Sequence, residues 1–255
     1  MKNMKYPIED LIQIMNDLRD KCPWDKKQTL KSLKSLTIEE TYELIEAIDK
    51  EDYYEIKEEL GDLLLHIVFY SKIASEKNRF DFNDVVKSLI EKLIYRHPHI
   101  YSDMKVNNEE DVKKNWEKLK SKKSHKGILD GVPKNLPTLI KTSRVQEKVA
   151  SIGFDFKNIN ESINKVIEEY NEFSQALISK EKTEIEEEFG DLLFSLVNYS
   201  RHIGVDSNEC LKNSTNKFIS RYKKLEKIIE NKNTSIDKLD KSEVNYIWDM
   251  VKKMK

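Results

Sequence analysis

The chain has 255 residues, 36% of them charged and 38% hydrophobic, and a formal net charge of -1 at pH 7. So balanced a charge supplies no global field to recruit nucleic acid or an anionic membrane, and two cysteines in a chain this long exclude a disulfide-built fold. Only 6 glycines and 5 prolines, beside abundant Glu, Lys, Leu and Ile, favour helices over sheets.

The opening "MKNMKYPIEDLIQIM" carries acids early and no long apolar core, so it does not read as a signal peptide. Apolar residues three and four apart predict a first helix over 7–20. Cys22, beside Pro23 and Trp24, is expected to pack a loop, and nothing places a base next to it. Further helices are predicted over 29–49, 53–77, 82–96 and 109–122. His97 and His99 flank Pro98 in what reads as a helix-ending turn. The stretch 121–136 is lysine-rich, then punctuated by Gly and Pro, and reads as a linker between domains 1–120 and 137–255. Beyond it, helices are predicted over 137–151, 160–179, 184–203, 207–230 and 241–253. Asp52 with Glu55, Asn158 with Glu161, and Thr183 with Glu186 have the spacing of capping boxes. No apolar run approaches a membrane span, and a reducing cytoplasm is the expected location.

The two halves repeat one another. "EIKEELGDLLLHIVFYS" (55–71) returns as "EIEEEFGDLLFSLVNYS" (184–200), and Glu40, Glu43, Glu59 and Asp62 recur as Glu169, Glu172, Glu188 and Asp191 at a constant offset of 129 residues. Further on, Lys92 and Arg96 correspond to Lys217 and Arg221 at an offset of 125. Two copies of one helical unit therefore fill nearly the whole chain.

Residues three apart share a helix face, so Glu40 and Glu43 point one way, as do Glu59 and Asp62. Two such helices packed antiparallel gather four carboxylates, which repel unless a cation neutralises them. Oxygen ligands without thiolate or imidazole select Mg²⁺, with Mn²⁺ as a substitute, and Mg²⁺ so held keeps positions for water and substrate phosphates. A lone pair of glutamates on a charged helix is ordinarily a solvated face. Here both pairs repeat at one spacing and run into an apolar "GDLL". Gly61 and Gly190 stand beside those aspartates in mid-helix, at a cost of about 1 kcal/mol relative to Ala, which implies close approach by a neighbouring helix or a ligand. Lys217 and Arg221, four apart, could grip phosphate oxygens. No glutamate is followed three positions later by histidine, so the di-iron bundle pattern is missing, and no Gly-rich phosphate loop is present.

EExxE, then ExxD, then KxxxR on a later helix resembles the MazG family of nucleoside triphosphate pyrophosphohydrolases in its tandem form. The likeness extends to "CPWD" (22–25), "FDFND" (80–84), "RHPH" (96–99), "GFD" (153–155) and "VNYSRHIG" (197–204). It implies an all-α fold of tandem duplicated helical bundles completed in a homodimer, and Mg²⁺-dependent cleavage of NTPs or dNTPs between the α and β phosphates, with broad base specificity and a house-cleaning role. It further implies that Glu169, Glu172, Glu188 and Asp191 hold Mg²⁺, with Glu40, Glu43, Glu59 and Asp62 as a second candidate set. Lys217 and Arg221 would bind phosphates; Lys165, Glu168 and Glu187 would line the nucleotide site, Glu168 among the catalytic acids; Lys120 and Trp248 fall near the nucleotide. Trp248 reads equally as a stacking face for the base and as a packing anchor. The second copy is expected to be the active one, because Leu36 stands where it has Lys165; Glu184 departs from a lysine of the family pattern. A non-catalytic helical dimer that binds metal or nucleotide, and a relative specialised for another nucleotide, are the alternatives.

Overall fold

The computed structural model describes residues 6–102, 104–106, 108, 112, 116, 119, 127–179 and 181–254. Among these no strand forms, and the chain divides into two compact units, Met1–Val112 and Lys113–Lys255. The fold is all-α, with two helical units in tandem.

In the first unit α1 (Ile8–Lys21) leads through the short α2 (Pro23–Lys27) to α3 (Lys34–Asp49) and α4 (Tyr53–Ser75), followed by α5 (Phe82–Arg96) and the single turn α6 (Pro98–Tyr101). Helices α3 and α4 form the dominant pair. The turn between them is a helix-ending motif in which Glu51 takes a left-handed φ of 55° and the Asp52 amide reaches back to the Ala47 carbonyl at 3.1 Å. The Asp52 carboxylate then accepts from the amides of Tyr54 and Glu55, opening α4 with a cap worth about 1 kcal/mol. Met15, Leu33, Val68, Phe69 and Ile73 form the core, with Leu36, Leu64 and Tyr70 packed against it. Burying each such side chain contributes about 1.5–3 kcal/mol.

The second unit has α7 (Thr138–Ala150), α8 (Ile159–Ser179), α9 (Lys182–His202), α10 (Ser207–Asn231) and α11 (Lys241–Lys253). Here α8 and α9 are the dominant pair, with α7 against α9. Leu225, Ile229, Ile247 and Val251 form a compact apolar cluster between α10 and α11. Within the stretch read as linker, Ile128–Gly131 forms a 3₁₀ turn that packs on α7, its Ile128 carbonyl accepting from the buried Lys148 ammonium at 3.1 Å.

Several expectations are corrected. The helix predicted from residue 29 starts at Lys34, because Thr29 and Ser32 satisfy each other's amides through their hydroxyls and hold a turn there. Thr183 caps nothing: α9 already begins at Lys182, after Glu181. Gly61 and Gly190 are not pressed by a neighbouring helix, since a Cβ on either meets nothing within 4 Å. Most of the helix predicted over 109–122, Lys120 included, lies outside the described residues. Both cysteines are free thiols, and among the described residues no helix is long and apolar enough to cross a membrane.

Candidate functional site

The α8–α9 pair lines up the second set of acids. The i, i+3 spacing puts Glu169 and Glu172 on one face of α8, and Glu188 and Asp191 on one face of α9. One carboxylate oxygen from each of Glu169, Glu172 and Glu188 lies within 4.8 Å of the others, and Asp191 is close enough to add its field at Glu188. Burial, then the charges of Glu172, Glu169, Asp191 and Glu187, push the Glu188 carboxyl above its ordinary pKa. Glu169 is only 6% exposed.

The α3–α4 pair repeats the arrangement with Glu40, Glu43 and Glu59, again within 4.8 Å. Burial, then Asp62, Glu43, Glu59 and Glu39, raise the Glu40 carboxyl; burial, then Glu43 and Asp62, raise Glu59. The Glu59 Oε2 atom is buried with no hydrogen-bond partner. Crowded, mutually repelling carboxylates with an orphaned buried oxygen, and neither thiolate nor imidazole in the cluster, suit a hard divalent cation such as Mg²⁺ or Mn²⁺.

The two copies differ at one place beside the acids. In the second, Lys165 reaches Glu168 at 2.6 Å and Glu169 at 2.7 Å, and the hydrogen bonds to Glu168 and Glu169 hold its ammonium well above the ordinary lysine pKa. In the first, the matching Leu36 packs against the core.

Other expected residues lie farther out. Glu187 is an exposed neighbour of Glu188. Lys217 and Arg221 sit on α10, and among the described residues no hydrogen bond or ion pair joins them to the carboxylates; Lys92 and Arg96 occupy the corresponding place on α5. Trp248 packs on the α10–α11 cluster, its ring centroid 5.3 Å from that of Phe218. A groove of about 450 Å³ runs along α10 beside Lys223, Lys224 and Lys227 and is lined by none of the acids.

A different cavity, of about 390 Å³, opens on the acids themselves: Lys165, Glu169 and Asp191 form part of its wall. The rest comes from α7, α9 and the "GFD" turn between α7 and α8. Gly153, at φ 93°, ends α7 in a left-handed turn that lets the Phe154 amide bond the Val149 carbonyl at 3.0 Å. The turn sets Phe154 and Phe156 on the cavity and points Asp155 at α9, where both terminal nitrogens of Arg201 donate to its carboxylate and His202 approaches at 3.1 Å. Burial alone would raise the Asp155 pKa, but the hydrogen bonds and charge of Arg201, aided by His202, hold it below the usual carboxylate range. The sequence reading noted "GFD" and "VNYSRHIG" but gave neither a role, and it passed over Gln146, Phe194 and Asn198, which also line the cavity.

A family model described as the MazG nucleotide pyrophosphohydrolase domain matches residues 28–101 and again 157–226, the two acid-bearing stretches. A nucleoside triphosphate pyrophosphohydrolase of Escherichia coli (strain K12) is 37% identical over 257 residues, spanning 96% of this chain and 97% of its own length. A nucleoside triphosphate pyrophosphohydrolase/pyrophosphatase MazG of Thermotoga maritima is 42% identical over 257 residues, spanning 99% and 98%. Among solved structures, the crystal structure of a mazG-related protein from Thermotoga maritima aligns with a TM-score of 0.40 and 27% identity, over 44% of this chain and 98% of that one.

Proposed function

As the chain belongs to the MazG family of nucleotide pyrophosphohydrolases, and so hydrolyses phosphoric anhydride bonds, we propose that its second copy cleaves nucleoside triphosphates between the α and β phosphates. The products are a nucleoside monophosphate and pyrophosphate. The observation that carries the assignment to this copy is the Lys165 ammonium tied to Glu168 and to buried Glu169, at the edge of the acid cluster and on the cavity wall. The first copy has acids but Leu36 in place of that cation, which fits a scaffold or a cation-holding role.

Glu169, Glu172, Glu188 and Asp191 would hold Mg²⁺. When bound, the ion would neutralise triphosphate charge, polarise the α-phosphorus and lower the pKa of the attacking water. Glu168, beside that set, would take the proton as water attacks and the bond to the bridging oxygen breaks. Lys217 and Arg221 would steady the charge gathering on the departing pyrophosphate. Lys165, drawn by Glu168 and Glu169 towards the acids, stays charged throughout the physiological range and would orient a phosphate oxygen. Exposed apolar residues on α8 and α9, including Ile167, Tyr170, Phe189, Leu193 and Leu196, support a homodimer that covers them.

The test is product analysis with Mg²⁺ over a panel of NTPs and dNTPs, comparing the wild type with Glu43→Ala and Glu172→Ala. Monophosphate and pyrophosphate, lost only in Glu172→Ala, place the chemistry in the second copy. Loss in Glu43→Ala alone places it in the first. A wild type that binds nucleotide but forms no product would favour a binding module.

A further inference from the structure

Helix α10 carries more cations than the two assigned to phosphate. Lys217, Arg221 and Lys224 follow one another at spacings of four and three, so they form one row along the helix, about 10.5 Å from end to end at a rise of about 1.5 Å per residue. Lys217 and Lys224 are exposed and Arg221 is half-buried. Several lysines elsewhere pair with an acid one turn away on their own helix: Lys21 with Asp17, Lys50 with Glu46, Lys182 with Glu186. The row on α10 has no such relief. Three and four residues to either side of Lys224 stand Ser220, Arg221, Lys227 and Ile228, and the same positions around Lys217 and Arg221 hold no acid either. Among the described residues none of the three cations forms a hydrogen bond or an ion pair. Like charges one turn apart destabilise a helix, and an anion laid along the row removes that cost.

The row outruns a triphosphate. In the reading above Lys217 and Arg221, one turn apart, steady the β and γ phosphates that leave as pyrophosphate. Lys224 continues the same line by a further turn, past the γ phosphate. It borders two open grooves along α10, of about 450 and 560 Å³, shares both with Lys227, and finds no acid lining either. The first copy has no such extension. Its α5 ends at Arg96, the match of Arg221, and Pro98 begins a separate turn, so at the same offset the third position falls on His99, outside that helix.

We propose that Lys224 is a further phosphate-binding residue of the second copy, and that it widens the substrate class to nucleoside 5′-tetraphosphates. The proposal rests on the pyrophosphohydrolase reading above and adds how long a phosphate chain that site takes. The chemistry is the same. Water attacks the α-phosphorus, its proton passes to Glu168, and the bond from the α-phosphorus to the α–β bridging oxygen breaks. Inorganic triphosphate then leaves with the bonding pair, in place of pyrophosphate. Lys217 and Arg221 keep the two phosphates nearest the broken bond, and Lys224 takes the terminal one.

The experiment compares adenosine 5′-tetraphosphate with ATP in the presence of Mg²⁺. The wild type is set beside Lys224→Met, which keeps an unbranched apolar stem and removes the charge, and Lys238→Met, which removes one exposed charge elsewhere in the same unit. The wild type is expected to convert the tetraphosphate to AMP and inorganic triphosphate with kcat/KM about tenfold above that for ATP, mostly through KM, the worth of one charge-assisted contact. In Lys224→Met the two substrates are expected to agree within about twofold, as a removed pairwise contact requires. In Lys238→Met the preference is expected to persist. Inorganic triphosphate, titrated calorimetrically without Mg²⁺, is expected to bind Lys224→Met about tenfold more weakly than the wild type. Loss of a like-charge neighbour on an exposed face should leave Lys224→Met melting no lower than the wild type, so that a lost preference is not lost folding. Equal wild-type kcat/KM for the two nucleotides overturns the proposal. So does an undiminished preference in Lys224→Met, an equal loss in Lys238→Met, or inorganic triphosphate that binds wild type and Lys224→Met alike. A wild type that cleaves neither nucleotide rejects the pyrophosphohydrolase reading itself, and the proposal falls with it.

Discussion

The Lys165 ammonium lies 2.7 Å from a carboxylate oxygen of Glu169, one helical turn further along the same face of α8. A lysine placed among acids lowers their mutual repulsion without filling a cation's position. Replacing it with leucine, as in the first copy, should reduce kcat/KM by about ten- to a hundredfold, the scale of losing one charge contact to a reacting phosphate. Because the Lys165 side chain is partly exposed, thermal stability should change little. Steady-state kinetics beside a melting curve check both. Near-normal kcat/KM in Lys165→Leu would remove the reason for preferring the second copy.

Cation binding should be visible without any turnover. The Glu188 carboxyl has a raised pKa in the folded chain, so its favourable contribution is present below its unfolded pKa and is lost as pH rises through the folded one. At neutral pH the cation-free cluster is thus a source of instability. Mg²⁺ should raise Tm at pH 7 and hardly at all near pH 4. Glu188→Gln should raise the Tm of the metal-free protein at pH 7 while shrinking the Mg²⁺ response. A variant destabilised in both states would show that Glu188 is not under repulsion.

The first unit has an acid-sensitive tie elsewhere. Arg19, on α1, donates to Glu76, just past the end of α4, through Nε at 2.9 Å and a terminal nitrogen at 2.6 Å, and also to the carbonyls of Asp25 and Gln28. The hydrogen bond from Arg19 lowers the Glu76 pKa, helped by its charge. The resulting stability is present above the unfolded carboxylate pKa and is lost as pH falls through the folded one, beneath the ordinary glutamate range. Glu76→Gln should cost about 1 kcal/mol at pH 7, after discounting for partial exposure, with the cost vanishing towards pH 3. Urea titrations at the two pH values measure it; an equal cost at both would assign the effect to packing.

The paired mid-helix glycines give a stability prediction of the opposite sign. With open space beside both, Gly61→Ala and Gly190→Ala should each stabilise the metal-free chain by about 0.5–1 kcal/mol through helix propensity alone. Gly190→Ala should also raise KM if substrate phosphate passes close to that backbone. Calorimetry and kinetics on the same preparations separate the two effects.

Much of this architecture was legible because helical periodicity and capping are local. The predicted spans 82–96 and 241–253 coincide with α5 and α11, and Asp52 and Asn158 cap as their spacing requires. Thr183 misled because a Thr three residues before a Glu occurs inside helices as readily as at their starts. Capping pairs Asp81–Asp84 and Asp240–Glu243 went unnoticed for the converse reason, lying in stretches where other signals were already strong. Both acid clusters were visible because duplication wrote them twice. The cavity was not: Gln146 meets Phe194 across 48 positions, a contact that no local spacing announces.

Leu36 has a consequence for how the duplicated chain can change over time. Its side chain packs against Met15, Leu33 and their neighbours, so the position that carries a cation in the second copy belongs to the first unit's core. Restoring lysine there would forfeit apolar packing before any catalytic benefit arrived. Converting Lys165 to leucine, by contrast, meets no such barrier. Exchange of lysine and leucine at this position therefore runs downhill in one direction, as a ratchet.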